Sequence, residues 1–195
     1  MKKFKKFIFE KKHRIVSIYS GRFQPFHPGH YESYSELVKE FGKDNVYIGT
    51  SNSTDNDKSP FNFKEKKKII ITMFPDIPKD NIVQVKNPYS PKEITSKFSN
   101  DTSIVTGVGK KDADRLVKGK YFEIYKRGKA TEPFRERGYV FVIPKNTKNL
   151  LDGKPFSGTK VRELLQGDIE EAFKKIYGKI EPKILKLFKG KYEKI

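Results

Sequence analysis

Gly21-Arg22-Phe23-Gln24-Pro25-Phe26-His27-Pro28-Gly29-His30 is the stretch on which the reading of this fold turns. A β-branched run, Arg14-Ile15-Val16-Ser17-Ile18-Tyr19, leads into it and stops at Ser20-Gly21. On its far side Tyr31, Tyr34, Leu37, Val38 and Phe41 fall on one face of a helix predicted over residues 30–41, with Gly42 as the stop. A strand handing over to a helix through a turn rich in glycine and proline is the opening of a βα unit.

The alternation continues outward from that unit. Residues 45–50 (NVYIGT) read as a second strand, 51–59 as a polar loop, 63–74 as a helix and 82–85 as a third strand. Ser90-Pro91-Lys92-Glu93 has the form of a helix start: a Ser cap, Pro in the first turn and Glu three residues after the cap. A fourth strand is predicted at 103–106 and a fifth at 139–143, separated by a segment, 107–137, without clean periodicity. Helices are predicted at 159–166, at 169–177 and near 182–188. The expected architecture is α/β, a Rossmann-like open parallel five-stranded sheet with helices on both faces. Such sheets bind ligands beyond the carboxyl ends of their strands.

Composition narrows the classes. The chain has 195 residues, enough to enclose one real core, and carries no Cys and no Trp. Collagen-like, disulfide-scaffold and zinc–cysteine classes are excluded by their missing residues. No apolar run approaches the roughly 20 residues of a membrane-spanning helix. The leading MKKFKKFIFEKKHR is not a secretory signal, because Phe7-Ile8-Phe9 is followed at once by charge; Phe4, Phe7 and Ile8 suit an amphipathic lead-in. The net charge of +18 invites a nucleic-acid reading, since clustered cations release counterions from phosphates. Only seven of the 42 basic residues are Arg, however, and fork-like phosphate and base recognition favours Arg. A solvated basic surface is the preferred reading, with nucleic acid not expected as a partner.

Two loops carry chemistry. In the first, Gly21 permits a tight turn and Gly29 a close approach of ligand to backbone, while His27 and His30 stand at a helix N-terminus that attracts anions. Two imidazoles beside that dipole suit the bridging oxygens of a triphosphate; the plainer alternative is a proline-rich turn with one buried and one exposed His. The second loop, Phe156-Ser157-Gly158-Thr159-Lys160-Val161-Arg162-Glu163, also opens a helix. Ser157 and Thr159 are cap-type residues, and Arg162 lies one turn beyond Thr159, where it can share a phosphate with those hydroxyls. Simple capping, with Arg162 in solvent, is the plainer alternative here.

Together these motifs resemble the nucleotidylyltransferase superfamily, with its HxGH and SGTxVR-type signatures. The longer form GRFQPxHxGH is most similar to nicotinamide mononucleotide adenylyltransferases of the archaeal type. Pro60-Phe61-Asn62-Phe63-Lys64-Glu65-Lys66 is similar to the family's PFxxxER helix start, with Lys66 in place of Arg. The resemblance covers residues 14–177 and implies a nucleotidylyltransferase domain over 14–178, flanked by a basic extension (1–13) and a helical tail (179–195). It implies a reaction in which an acceptor phosphate attacks the α-phosphorus of a nucleoside triphosphate, most simply ATP, and pyrophosphate leaves. By family analogy His27, His30 and Arg162 would be catalytic. Gly21, Arg22, Phe23, Gly29, Ser157, Gly158 and Thr159 would hold the nucleotide, while Arg22 and Lys66 would meet the acceptor. Magnesium would be bound mainly through phosphate oxygens and water. No protein metal ligands are expected.

The segment Thr106-Gly107-Val108-Gly109-Lys110-Lys111-Asp112-Ala113-Asp114-Arg115 follows the fourth strand, where such a fold places base and ribose. Gly107 and Gly109 would allow backbone contact and Asp112 would accept a ribose hydroxyl; a charged surface loop is the alternative. This segment departs from the shorter SGN-like segment of the archaeal enzymes and resembles a variant found in nucleotidyltransferases encoded by phages, which leaves the acceptor open. The expected partners are therefore ATP or another nucleoside triphosphate and a small phosphate-bearing acceptor, with no membrane; a homo-oligomer is admitted. The expected location is the cytoplasm of a cell or of a phage-infected host. Three rival readings are weighed against this one. A class I aminoacyl-tRNA synthetase shares the HxGH signature, but the chain is short and has no KMSKS-like loop. A cytidylyltransferase would show GxFDxxHxGH where Gln24-Pro25 stands. A non-catalytic single-strand binder would use the basic-aromatic run Lys120-Tyr121-Phe122-Glu123-Ile124-Tyr125-Lys126-Arg127, though acidic residues interrupt it.

Overall fold

The computed structural model describes residues 14–55, 58–145 and 148–193, so the extension at 1–13, with its amphipathic lead-in, lies outside the described residues. The chain runs β1 (Ile15–Ser20), α1 (Pro28–Phe41), β2 (Val46–Thr50), α2 (Phe63–Met73), β3 (Ile82–Gln84), α3 (Lys92–Thr95) and β4 (Ser103–Val108). It continues through α4 (Lys110–Leu116), β5 (Phe122–Ile124), β6 (Gly138–Val142), a small hairpin of β7 (Leu150–Leu151) and β8 (Lys154–Pro155), then α5 (Gly158–Leu164), α6 (Ile169–Tyr177) and α7 (Pro182–Tyr192). The main sheet has the order β3-β2-β1-β4-β6-β5, and every pairing in it is parallel. Strand order reverses between β1 and β4, so the loops leaving those two strands flank the crevice where such sheets bind ligands.

Six strands replace the expected five. The additional one, β5, is cut from the basic-aromatic run that suggested single-strand binding. Phe122 pairs with Gly138 and Ile124 with Val140. The flanking groups are also engaged: Arg127 Nε donates to both carboxylate oxygens of Glu40 (3.1 and 2.9 Å), and the Tyr125 hydroxyl donates to the same carboxylate. This run builds a sheet edge rather than a stacking platform.

Alternating residues divide the buried surface into two cores. Tyr19, Ile48 and Val105 face a large core that also takes the apolar stripes of α1, α2, α6 and α7. Val16, Ile18 and Ile104 face a smaller one closed by Val85 and Ile94. The helix expected from Ser90 is a single turn capped by Pro91, without a side-chain cap. Helix α7 runs a turn further than its predicted end, and its Ile184, Leu185 and Phe188 are buried in the large core. The segment read as a tail is thus packed into the body that carries the site.

Candidate active site

Loop one, between β1 and α1, is held from several sides. The Gln24 side chain is buried and grips the backbone of Phe61 twice: its Nε2 donates to the Phe61 carbonyl (2.7 Å), and its Oε1 accepts from the Phe61 N–H (2.9 Å). The Lys66 ammonium donates to the carbonyls of Arg22 (3.2 Å) and Ser51 (2.5 Å) and to the Thr50 hydroxyl (3.0 Å). Thr50 Oγ1 donates to the same Arg22 carbonyl, and the Tyr177 hydroxyl donates to the Phe26 carbonyl (2.7 Å). These ties hold Phe23 in the left-handed region at φ 48°, a conformation that costs a non-glycine residue of order 1 kcal/mol or more. Gly21 is needed beneath it, because a Cβ there would lie 2.7 Å from the Phe23 ring.

Two site expectations change as a result. Lys66 was expected to meet the acceptor, but it is 1% exposed and its three donors are spent on Arg22, Thr50 and Ser51. It positions loop one instead, and burial lowers its pKa to about 8. Phe23 was expected at the nucleotide, but its ring is 4% exposed and packs within 5.2 Å of the rings of Tyr19, Phe26 and His30. It supports the site from beneath. Gln24, to which no role was assigned, is the residue that joins loop one to the start of α2. Arg22 extends its side chain into solvent at the mouth.

Both histidines reach the floor of the crevice. His27 caps α1 with extended backbone, Pro28 follows at the first helical position, and His30 lies one turn on. Their rings stack with centroids 3.7 Å apart, and Phe156 from loop two also stacks on His27, at 5.3 Å. His27 is 2% exposed, and neither of its ring nitrogens has a hydrogen-bond partner. Burial, with the Arg162 charge adding to it, lowers the His27 pKa to about 4. Burial and the neighbouring His27 hold His30 well below its ordinary 6.5. Both imidazoles are therefore neutral at pH 7. His30 Nδ1 accepts a long contact from the His27 backbone N–H (3.4 Å), which leaves its proton on Nε2. A buried nitrogen with no partner is costly, so the orphaned His27 ring marks a place prepared for a polar ligand.

Loop two, between β8 and α5, is more loosely built. Ser157 caps α5 by accepting from the Lys160 N–H (3.2 Å). Arg162 does not stand free in solvent: Nη1 donates to the Gln24 carbonyl (3.3 Å) and Nη2 to Thr159 Oγ1 (3.4 Å). A Cβ at Gly158 would lie 3.2 Å from the Arg162 guanidinium, so the glycine leaves room for that return. Arg162 and Phe156 thus bring the two loops together, the Arg162–Gln24 contact spanning 138 residues of sequence. Glu32 on α1 was not foreseen in this: its carboxylate accepts from the backbone N–H groups of Lys148 (3.2 Å) and Asn149 (3.0 Å), anchoring the approach to the β7–β8 hairpin.

The segment after β4 divides between packing and site. Gly107 is buried, and a Cβ there would lie 2.6 Å from Leu37 Cδ1, so the glycine permits the close approach of α1 to the sheet. Gly109 caps α4, and Asp112, in its first turn, is paired with Arg115 at 3.1 Å in solvent. Gly109, Lys110 and Asp112 line one side of a groove of about 660 Å³, with Tyr19, Ser33 and Ile143 on the other. A second pocket, about 200 Å³, lies against the sheet face turned away from α1; Ile18, Ile104 and Thr106 form its floor, and Tyr89, Tyr121 and Phe134 its walls. Tyr89 is 79% exposed, with the Arg115 guanidinium 5.6 Å above its ring.

The cytidylyltransferase-like family model matches residues 18–164, from the last half of β1 through both loops. The chain belongs to the cytidylyltransferase-like family. Its fold is shared by solved structures of low sequence identity. A bifunctional NMN adenylyltransferase/ADP ribose pyrophosphatase from Francisella tularensis is 23% identical with a TM-score of 0.61, the likeness covering 93% of this chain and 52% of that one. The Plasmodium falciparum nicotinic acid mononucleotide adenylyltransferase complexed with NaAD is 18% identical with a TM-score of 0.56, covering 93% of this chain and 97% of that one. A putative nicotinate-nucleotide adenylyltransferase from Vibrio parahaemolyticus is 18% identical with a TM-score of 0.54, covering 90% and 98%. The chain spans about half the length of the Francisella protein. No curated protein matches it. Within this cytidylyltransferase-like chain, α6 and α7 lie beyond the matched region, and no described helix is long and apolar enough to cross a membrane.

Proposed function

We propose that this cytidylyltransferase-like protein transfers a nucleoside monophosphate, AMP from ATP, to a phosphate-bearing acceptor and releases pyrophosphate. The observation that carries the reading is the meeting of the two loops: neutral, stacked His27 and His30 beside the N-terminus of α1, with Arg162 turned back over them from α5. An acceptor phosphate oxygen attacks the α-phosphorus, and the bond to the bridging oxygen of the pyrophosphate breaks. The protein supplies position and charge rather than a covalent intermediate. His30 Nε2–H donates to the α-phosphate, His27 gains in the ligand the partner it lacks in the protein, and Arg162 with Ser157 and Thr159 takes the outer phosphates. The base and ribose occupy the groove at Gly109 and Asp112.

The donor set suits a metal carried on the nucleotide. Imidazoles, hydroxyls and a guanidinium face the crevice, and among the described residues no group of three or more His, Cys, Asp or Glu could hold an ion. A magnesium ion bound through phosphate oxygens and water would offset charge there. One of the structures of this fold, the Francisella protein, was solved with AMP and a manganese ion. The aromatic walls of the second pocket suit a flat heteroaromatic acceptor such as nicotinamide mononucleotide, whose cationic ring stacks well on Tyr89. The test is a pyrophosphate-release screen of the four nucleoside triphosphates against nicotinamide mononucleotide, flavin mononucleotide, phosphopantetheine, phosphocholine and glycerol phosphate. Release with ATP and nicotinamide mononucleotide supports the reading; release only with CTP moves it to the cytidylyl branch.

A further inference from the structure

A phosphate oxygen has no way to His27 in this conformation. The ring is 2% exposed, and both of its nitrogens are buried without a hydrogen-bond partner. A neutral imidazole holds one donor and one acceptor, so two polar groups stand unpaired beneath a packed surface, which is costly. For a ligand to reach them, a neighbouring group has to withdraw.

Two rings stack on His27. One is His30, 3.7 Å away, and it is fixed. It stands in the first turn of α1, with the rings of Phe23 and Phe26 at 5.0 and 5.4 Å from its own. The other is Phe156, 5.3 Å away and tilted by only 24°. Phe156 is half-buried and stands between the end of β8 and Ser157, the cap of α5. Neither flank holds it firmly. Strand β8 is paired over two residues, and the Arg162 contact to the Gln24 carbonyl, at 3.3 Å, is near the outer limit of hydrogen bonding. The movable neighbour of His27 is therefore Phe156. Its apolar ring can shield the two nitrogens but cannot pair with them.

We infer that Phe156 is a cover over His27: it rests on the imidazole in the free protein and swings away with loop two to admit the triphosphate. This rests on the reading of the crevice as a triphosphate site. Stacking favours the closed state, and the unpaired nitrogens oppose it, because opening gives them water or phosphate. Part of the binding energy of the nucleotide is then spent on opening, so Phe156 weakens the apparent affinity for ATP from within the protein. It is a positioning residue that acts only through access to His27.

The test is carbethoxylation of the full chain by diethyl pyrocarbonate at pH 7, followed residue by residue by mass spectrometry, beside calorimetric titration with ATP and magnesium chloride. His27 and His30 are both neutral at pH 7, so burial is what slows their reaction. With an open state populated at about 0.1–10%, Phe156→Ala should speed modification of His27 about tenfold or more. His30, walled by Phe23 and Phe26, should keep its wild-type rate. The Kd for ATP should fall about tenfold, as the competent fraction rises. Phe156→Leu, which keeps apolar bulk without a flat ring, should shift both readings in the same direction and by less. It carries the comparison if Phe156→Ala shows no thermal unfolding transition. An unchanged His27 rate in a folded variant would overturn the inference, as would equal acceleration at His27 and His30, which reports a loosened loop one. ATP affinity that is unchanged or weaker in the folded variant would overturn it too. If neither wild type nor variant binds any of the four nucleoside triphosphates, the reading of the crevice falls and takes the inference with it; ATP binding by wild type with an unmoved His27 rate in the variants removes the inference alone.

Discussion

Loop one and loop two both end in a helix and meet at one crevice, but they are built to different tolerances. Loop one is tied by Gln24, Lys66, Thr50 and Tyr177, which between them engage the carbonyls of Arg22, Phe26 and Phe61. Loop two has one cap at Ser157 and two long contacts from Arg162. The difference fits a division of labour. A reacting phosphorus must be met at fixed geometry, so the groups beside it are held in advance. The outer phosphates arrive with the ligand, so the group that meets them can close afterwards.

Four predictions bear on that contrast, the largest first. His30→Ala should reduce pyrophosphate release by about three orders of magnitude while the circular dichroism and Tm stay near wild type. Near-normal turnover in the folded variant would remove the fixed half of the comparison. Arg162→Ala should lower kcat/KM by about a hundredfold, chiefly through the KM for the triphosphate. A fall confined to kcat would mean that loop two is as fixed as loop one.

Lys66→Met separates the two roles considered for that lysine. A positioning residue lost from loop one should lower kcat about tenfold with every acceptor, and Lys66→Arg should restore part of it by keeping donors on the Arg22 carbonyl. A rise in acceptor KM at constant kcat would return Lys66 to the acceptor. The smallest effect concerns pH. The folded-state pKa of His27 is about 4, against an ordinary 6.5. The unfolded chain therefore takes up a proton before the folded one does as pH falls, and stability drops between pH 6.5 and about 4, by of order 3 kcal/mol. Urea midpoints measured through that window should show the slope, and His27→Gln should reduce it, leaving the share that His30 contributes in the same direction.

The βα order, both loops and the packed helices were legible because each has local pattern: β-branched runs, a Gly-Pro turn, apolar residues at helical spacing. Strand β5 was not, since three residues with Glu123 at their centre are too short to carry a period, and α4 buries only Ala113 and so shows no stripe. The Gln24 clamp spans 37 residues and ends on backbone, which leaves no trace in the identity of Phe61. Lys66 was given to the acceptor because it stands where the resembled motif has Arg; its burial under converging carbonyls is not written in the residue type. Gly107 was read as a place where a ligand meets backbone, and the neighbour it makes room for is Leu37: a close approach is legible, but not what approaches.

The central claim is nucleotidyl transfer at the junction of the two loops, and the most direct measurement follows the phosphorus atoms. ATP labelled at the α-phosphate, given to wild-type protein with nicotinamide mononucleotide and magnesium, should pass its label into a dinucleotide product. ATP labelled at the γ-phosphate should pass its label into pyrophosphate, and neither should occur with folded His30→Ala. Label from the γ-phosphate appearing as inorganic phosphate, with none from the α-phosphate in any acceptor, would contradict the account.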